Sequence, residues 1–310
     1  MRVGAIDCGT NSIRLLVADV DGETKTDLRR EMRIVRLGQD VDRTGRLAPE
    51  AIERTVAACR EYRDLMNELA VEKIVFAATS ATRDAENAAD FSEAVLEVLG
   101  VRPRVLTGEQ EAAASFLGAA REFSAGSTLV VDIGGGSTEF VQGNFAETGA
   151  EPTFARSVDL GCVRMTERFL ASDPPAAEEI ADCIAAIDAV IVPVLDQLDE
   201  TDTLVMVAGT ATSIAAHMLG LGDYDSDRIH GSQIALADMK SAANNLLARS
   251  VAQRLELGFM HPGRADVIGG GSLITNRILE HVRCDSDVVV ISEHDILDGI
   301  ALGPAEAASS

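Results

Sequence analysis

VVDIGGGSTEFV, residues 130–141, has the same form as AIDCGTNSIRLLV, residues 5–17. Each leaves an apolar strand through Asp-x-Gly, passes two small residues to a Ser, and re-enters an apolar run. Aligning Asp7 with Asp132 brings Gly9 onto Gly134 and Ser12 onto Ser137. A single Gly-rich turn of this kind is weak evidence, because Asp often sits in a turn for its own hydrogen bonds. Two copies in register, each between strand signals, predict a duplicated α/β unit.

Working outward, a chain of 310 residues exceeds what one core usually serves, so two domains are expected. Strand signals lie at 3–7, 13–20, 30–37, 73–80 and 103–106, then at 127–133, 138–142, 152–160 and 203–208. Helical patterns intervene: one opens at Pro49, where a missing N–H costs nothing. Another spans 176–198 and is expected to kink at Pro193. Small polar residues at Ser124-Ala125-Gly126-Ser127 mark a hinge. The expected domains are therefore 1–124 and 125–294, with a last helix at about 295–310 packing back on the first.

Composition narrows the function classes. Hydrophobic residues at 46% and charged ones at 25% are ordinary for a soluble globular protein. No apolar run reaches membrane-spanning length and no secretory signal is evident, so a cytoplasmic protein without membrane contact is expected. Five dispersed cysteines without CxxC spacing read as reduced and structural. A net charge of −23 argues against nucleic-acid binding. The acid excess falls mostly after residue 124, while arginines cluster earlier, at Arg29-Arg30, Arg33, Arg36, Arg43 and Arg46. A mixed-charge solvated face is the favoured reading of that cluster; a polyanion track is the sharper one.

The doubled turn suits a phosphate ligand. Glycines let backbone approach closely, and successive N–H groups form an anion nest. Two such loops can grip one phosphate chain, with Asp7 and Asp132 facing it through Mg²⁺, since carboxylate beside phosphate is otherwise repulsive.

These motifs, with ATSATRDAENAADF (78–91), TGEQEAAASFLGA (107–119), RLGQDVDRTGRLAPEAIERT (36–55), LGCVRMTERF (160–169), VAGTATSIAA (207–216), IHGSQI (229–234) and HPGRADVIGGGSLI (261–274), resemble the exopolyphosphatase and guanosine pentaphosphate phosphatase family. The resemblance covers essentially the whole chain. It implies the α/β fold of the actin, sugar kinase and Hsp70 superfold: a two-domain actin-like ATPase fold, ribonuclease H-like and duplicated, with the active site in the interdomain cleft.

By that resemblance, Glu111 is the catalytic base that activates water, and Arg83 binds phosphoryl oxygens through its planar fork. Glu109 is the neighbouring acid, read as complementing a helix dipole; the family usually places two adjacent acids here, whereas Gln110 separates them in this chain. Asp132 and Glu139, with Asp7, are the expected ligands of Mg²⁺, or of Mn²⁺ in its place. Gly9, Thr10, Asn11, Ser12, Gly134, Gly135, Gly136 and Ser137 are the expected phosphate contacts, and Gly209 and Thr210 offer donors at a helix start. His230, Arg264 and Asp266 lie in family-like segments without an assigned role.

The implied reaction is hydrolysis of a terminal phosphoanhydride of inorganic polyphosphate or guanosine pentaphosphate. A kinase of the same superfold and a non-catalytic nucleotide or alarmone sensor are the competing readings. Longer family members carry a further helical region, so shorter chains are the expected substrate here. A symmetric homodimer would pool two basic strips.

Overall fold

The computed structural model describes residues 1–22, 24–119, 126–146 and 149–303. The chain divides into two compact units. One is Met1–Gly118 with the residues from Ile296 onward, the other Ala119–Asp295. Of the expected hinge, Ser124 and Ala125 lie outside the described residues, as do residues 304–310 of the expected last helix.

The first unit opens with β1 (Arg2–Cys8), β2 (Ser12–Asp21) and β3 (Thr24–Ile34), followed by α1 (Val41–Thr44) and α2 (Pro49–Glu68). Then come β4 (Lys73–Ala78), α3 (Ser80–Arg83), α4 (Ala88–Leu99), β5 (Arg104–Val105) and α5 (Gly108–Ala119). The sheet order is β3-β2-β1-β4-β5, with β1, β2 and β3 antiparallel and β1, β4 and β5 parallel. Local chemistry explains the joints. Pro49 starts α2, and Gly100 ends α4 at φ 72°, a left-handed position that favours glycine.

In the second unit, β6 (Ser127–Ile133), β7 (Thr138–Ala146) and β8 (Gly149–Val158) lead to α6 (Cys162–Phe169) and α7 (Ala177–Leu195). Next are β9 (Thr203–Val207), α8 (Ala208–Met218), α9 (Ser226–Ile229), β10 (Gln233–Ala235), α10 (Leu236–Ala248) and α11 (Val251–Leu255). After α12 (Ile268–His281) and β11 (Val288–Ile291), α13 (Ile296–Leu302) returns the chain to the first unit. The sheet reads β8-β7-β6-β9-β11-β10. Counted from each unit's first strand, the sheets read 3-2-1-4-5 and 3-2-1-4-6-5; they share the order 3-2-1-4 followed by one more parallel strand, and β10 adds an antiparallel edge to the second. This is the duplicated ribonuclease H-like arrangement of the actin-type fold.

Period-2 alternation assigns the faces. Ile13, Leu15 and Val17 join the core under α2 and α4, while Leu16 and Ala18 meet Ile296, Leu297 and Ile300 of α13 on the other face. In the second unit Val131, Ile133 and Phe140 enter the main core, so Asp132 and Glu139 occupy the opposite face.

Several expectations shift. β3 starts six residues before the expected 30, because pairing with β2 extends a strand whose residues are largely charged and exposed; charged side chains protect such an edge. β10 and β11 add two strands beyond those expected; three or four residues carry too short a pattern to detect. α7 spans Ala177–Leu195 and contains Pro193, with the helix ending two residues after it. The arginine cluster, by contrast, is the mixed-charge face that the sequence favours. Arg29 and Arg33 pair with Glu31, Arg30 with Asp27 and Asp298, Arg43 with Asp40 and Arg46 with Glu86.

Candidate active site

Within each unit the candidate residues lie where parallel strands end, the edge at which open α/β sheets usually bind ligands. In the first unit the turn after β1 is closed by Gly9 N–H donating to Ser12 O at 2.9 Å. Val35 and Arg36 N–H both donate to Asn11 O, at 3.0 and 2.9 Å, and Gly38 N–H donates to Thr10 O at 2.9 Å. In a trans peptide the N–H points opposite to the preceding carbonyl. The N–H groups of Asn11 and Ser12 therefore face away from residues 35–38.

The second unit repeats this turn. Gly134 N–H donates to Ser137 O at 3.0 Å. The start of α6 takes the loop's carbonyls: Cys162 N–H donates to Gly134 O and Val163 N–H to Gly135 O, both at 2.9 Å. Arg164 Nε donates to Gly136 O at 2.9 Å. By the same geometry, the N–H groups of Gly135, Gly136 and Ser137 aim together away from α6, forming an anion nest. Gly161 makes this approach possible. A methyl group there would lie within 2.5 Å of Gly136 N and overlap the Gly135 carbonyl.

Arg83 and Glu111 are brought together in the first unit. Arg83 ends α3, just beyond β4, and its Nη1 donates to Glu111 Oε2 at 3.0 Å and to Leu106 O at 2.9 Å. Thr10 Oγ1 and Ser80 Oγ lie 2.9 Å apart, tying the first turn to α3. Glu111 is 7% exposed, in the first turn of α5, whereas Glu109 and Gln110 face solvent. Gln110 has a local task. Its Oε1 accepts from Thr107 N–H at 3.1 Å, and Thr107 Oγ1 accepts from Gln110 N–H at 3.3 Å, a reciprocal cap for α5. The residue that interrupts the expected acid pair thus fixes the helix start on which Glu111 stands.

The carboxylates diverge between the two copies. In the second unit Asp132 stands directly opposite Glu139 across β6 and β7, at 6% and 2% exposure. In the first, the residue opposite Asp7 is Arg14, whose Nη2 and Nε donate to Asp7 Oδ2 at 2.6 and 3.1 Å. Asp7, expected as a metal ligand, therefore has its charge balanced by an arginine. Two buried carboxylates directly opposite each other are destabilising on their own. Asp132 and Glu139 fit a divalent cation: oxygen donors from two strands, on one face.

At the end of β9, Ala208 takes φ 65°, a strained value for alanine, and α8 begins. Gly209 lies under the Arg264 guanidinium, and Thr210 is buried, hydrogen-bonded to the Cys162 thiol. Cys162 so connects Thr210 to the Gly134 turn. Burial pushes the Cys162 thiol up to about 11 and the Cys59 thiol up to about 12, which leaves neither as a thiolate nucleophile at neutral pH.

Arg14, Ser80, Gly161 and Arg164 went unassigned in the sequence reading. Arg14 had a legible signal, because it follows Asp7 by seven residues as Glu139 follows Asp132. Gly161 and Arg164 act on backbone atoms from a separate element, for which the sequence carries no spacing rule.

Comparison with known proteins gives these residues their context. The chain is 45% identical to the protein named Exopolyphosphatase 2 of Mycobacterium tuberculosis (strain ATCC 25618 / H37Rv), over 98% of each. A crystal structure of an exopolyphosphatase-like protein superposes with a TM-score of 0.91 at 40% identity, covering 97% of this chain and 96% of that one. The Aquifex aeolicus Ppx/GppA family member gives 0.79 at 32% identity, over 97% and 96%. Residues 16–305 match the Ppx/GppA phosphatase family, and the chain belongs to it.

Proposed function

We propose that this protein is an exopolyphosphatase that hydrolyses the terminal phosphoanhydride of inorganic polyphosphate and releases orthophosphate. The observation that carries the proposal is Glu111: buried, fixed at a helix start, and in contact with the guanidinium of Arg83. An ion pair is made by the ionised carboxylate, which is the form a general base requires. A binding-only sensor gains little from a buried carboxylate beside a polyanion.

In this reading Glu111 orients the attacking water and accepts its proton as oxygen bonds to the terminal phosphorus. Arg83 donates to phosphoryl oxygens as the bridging P–O bond breaks, and each unit offers backbone donors for phosphate, Asn11–Ser12 in the first and Gly135–Ser137 in the second. A bound Mg²⁺ or Mn²⁺, held by Asp132 and Glu139, would neutralise phosphate charge. Asp7, paired with Arg14, is outside this ligand set. The shorter chain leaves carrying the displaced bridging oxygen, so no covalent enzyme intermediate is needed.

The test is orthophosphate release with Mg²⁺ from short polyphosphate, long polyphosphate, guanosine pentaphosphate and ATP in parallel. Release from polyphosphate supports the proposal; release from guanosine pentaphosphate alone replaces the substrate, and binding without release replaces the enzyme with a sensor. Excess chelator is expected to lower the rate by at least about a hundredfold, with recovery on adding Mg²⁺. An undiminished rate in chelator would remove the metal.

Gly161→Ala tests the loop. The added methyl meets backbone rather than a movable side chain, so the Gly134–Ser137 turn must shift. A displacement approaching 1 Å is expected to lower kcat/KM about a hundredfold, measured by steady-state kinetics beside a thermal melt.

A further inference from the structure

The carboxylate pair of the second unit continues one strand further. Asp132 on β6 faces Glu139 on β7, and Glu139 faces Ser157 on β8. Residues directly opposite in an antiparallel sheet share a face and lie within side-chain reach. Here the contact is made: Ser157 Oγ donates to Glu139 Oε1 at 2.7 Å.

The duplicated fold supplies an internal comparison. At the same register of the first unit, the rung reads Asp7, Arg14 and Met32. That rung balances its own charge between Asp7 and Arg14, and its third member is a thioether, which donates no hydrogen bond. In the second unit the middle residue is an acid, and the third is a hydroxyl. The donor occurs in the copy whose rung carries two acids.

The chemistry of a glutamate explains what the hydroxyl does. The last torsion of its side chain is broad and roughly two-fold, so the carboxylate plane is poorly fixed by packing alone. A donor on Oε1 sets that plane and directs the remaining lone pairs. Outer partners of metal-binding carboxylates act in this way.

We infer that Ser157 is a positioning residue, orienting Glu139 for a divalent cation shared with Asp132; the inference rests on the metal reading above. A hydroxyl that merely satisfies a buried acid would contribute to stability and leave ion affinity unchanged.

The experiment measures Mn²⁺ binding to the full chain, freed of metal by chelation and dialysis, from the electron paramagnetic resonance signal of unbound Mn²⁺. The wild type, Ser157→Ala, Ser157→Thr and Glu139→Gln are compared, with thermal melts in chelator for each. Ser157→Ala is expected to weaken Mn²⁺ binding about tenfold, with the melt in chelator unchanged. Ser157→Thr, which keeps the hydroxyl on a strand-compatible side chain, is expected to restore the affinity. Wild-type affinity in Ser157→Ala, with binding lost in Glu139→Gln, overturns the role of Ser157 alone. Wild-type affinity in Glu139→Gln overturns the metal reading and this inference with it. A lowered melt with unchanged affinity assigns Ser157 to stability only.

Discussion

Glu111→Gln is expected to lower kcat for orthophosphate release from polyphosphate by about a thousandfold, within the range by which general bases accelerate proton transfer. The amide keeps the shape of the side chain but accepts no proton from water. Arg83 retains its contact with Leu106 O, so phosphate binding should survive and KM should change little. Glu109→Gln is the control: its side chain is exposed, and its rate should match the wild type. Steady-state kinetics on both variants, with matched melting curves, separates a base from an acidic helix start. Unchanged turnover in Glu111→Gln would remove the assignment.

The largest expected loss of stability belongs to Arg254→Met. Arg254 is 2% exposed, and its guanidinium donates to Leu246 O, Leu247 O and Ala265 O at 2.8, 3.1 and 2.9 Å. Two of these acceptors end α10, where the negative pole of the helix favours a cation. Burial still pulls the arginine's pKa down, a sign of how much hydration the charge has lost. A methionine of similar length fills the space yet leaves Leu247 O and Ala265 O without this donor, while Leu246 O keeps only the longer bond from Arg249 N–H at 3.3 Å. At roughly 1–3 kcal/mol for each unsatisfied buried group, discounted for local adjustment, the loss is about 4 kcal/mol. For a unit of this size that corresponds to a fall in Tm of about 8–16 °C. Thermal or urea unfolding measures it, and a loss below about 1 kcal/mol would show that the carbonyls find other donors.

The parts of the site legible in the sequence were those written in neighbouring residues. The paired Asp-x-Gly turns announced the duplication, and the first turn of α5 placed Glu111 on a helix start. What stayed hidden depends on strand register and on separate elements meeting in space. Asp7 and Asp132 look alike along the chain; the residue across the hairpin, Arg14 in one copy and Glu139 in the other, makes one an ion pair and the other a cation ligand candidate. Ser157 was invisible for the same reason, because its contact with Glu139 exists only once β7 and β8 pair. The arginine cluster was legible in kind, as a mixed-charge face, but not in its pairings. The carboxylates that pair with it come from β3 (Asp27 and Glu31) and from separate parts of the chain, Asp40, Glu86 and Asp298, which only the fold brings near.

The return of α13 has a consequence for biosynthesis. Ile296, Leu297, Ile300 and Ala301 complete the face formed by Ala5, Leu16 and Ala18, and Gly299 packs so closely on Ala114 that no side chain fits there. A ribosome finishes Gly118 and must then make the intervening unit, Ala119–Asp295, before it reaches Ile296. At about 5–20 residues per second, that interval is about 9–35 s. Through it the nascent first sheet carries an uncovered apolar face, so a chain stalled or truncated before Ile296 is the species expected to need a chaperone or to aggregate.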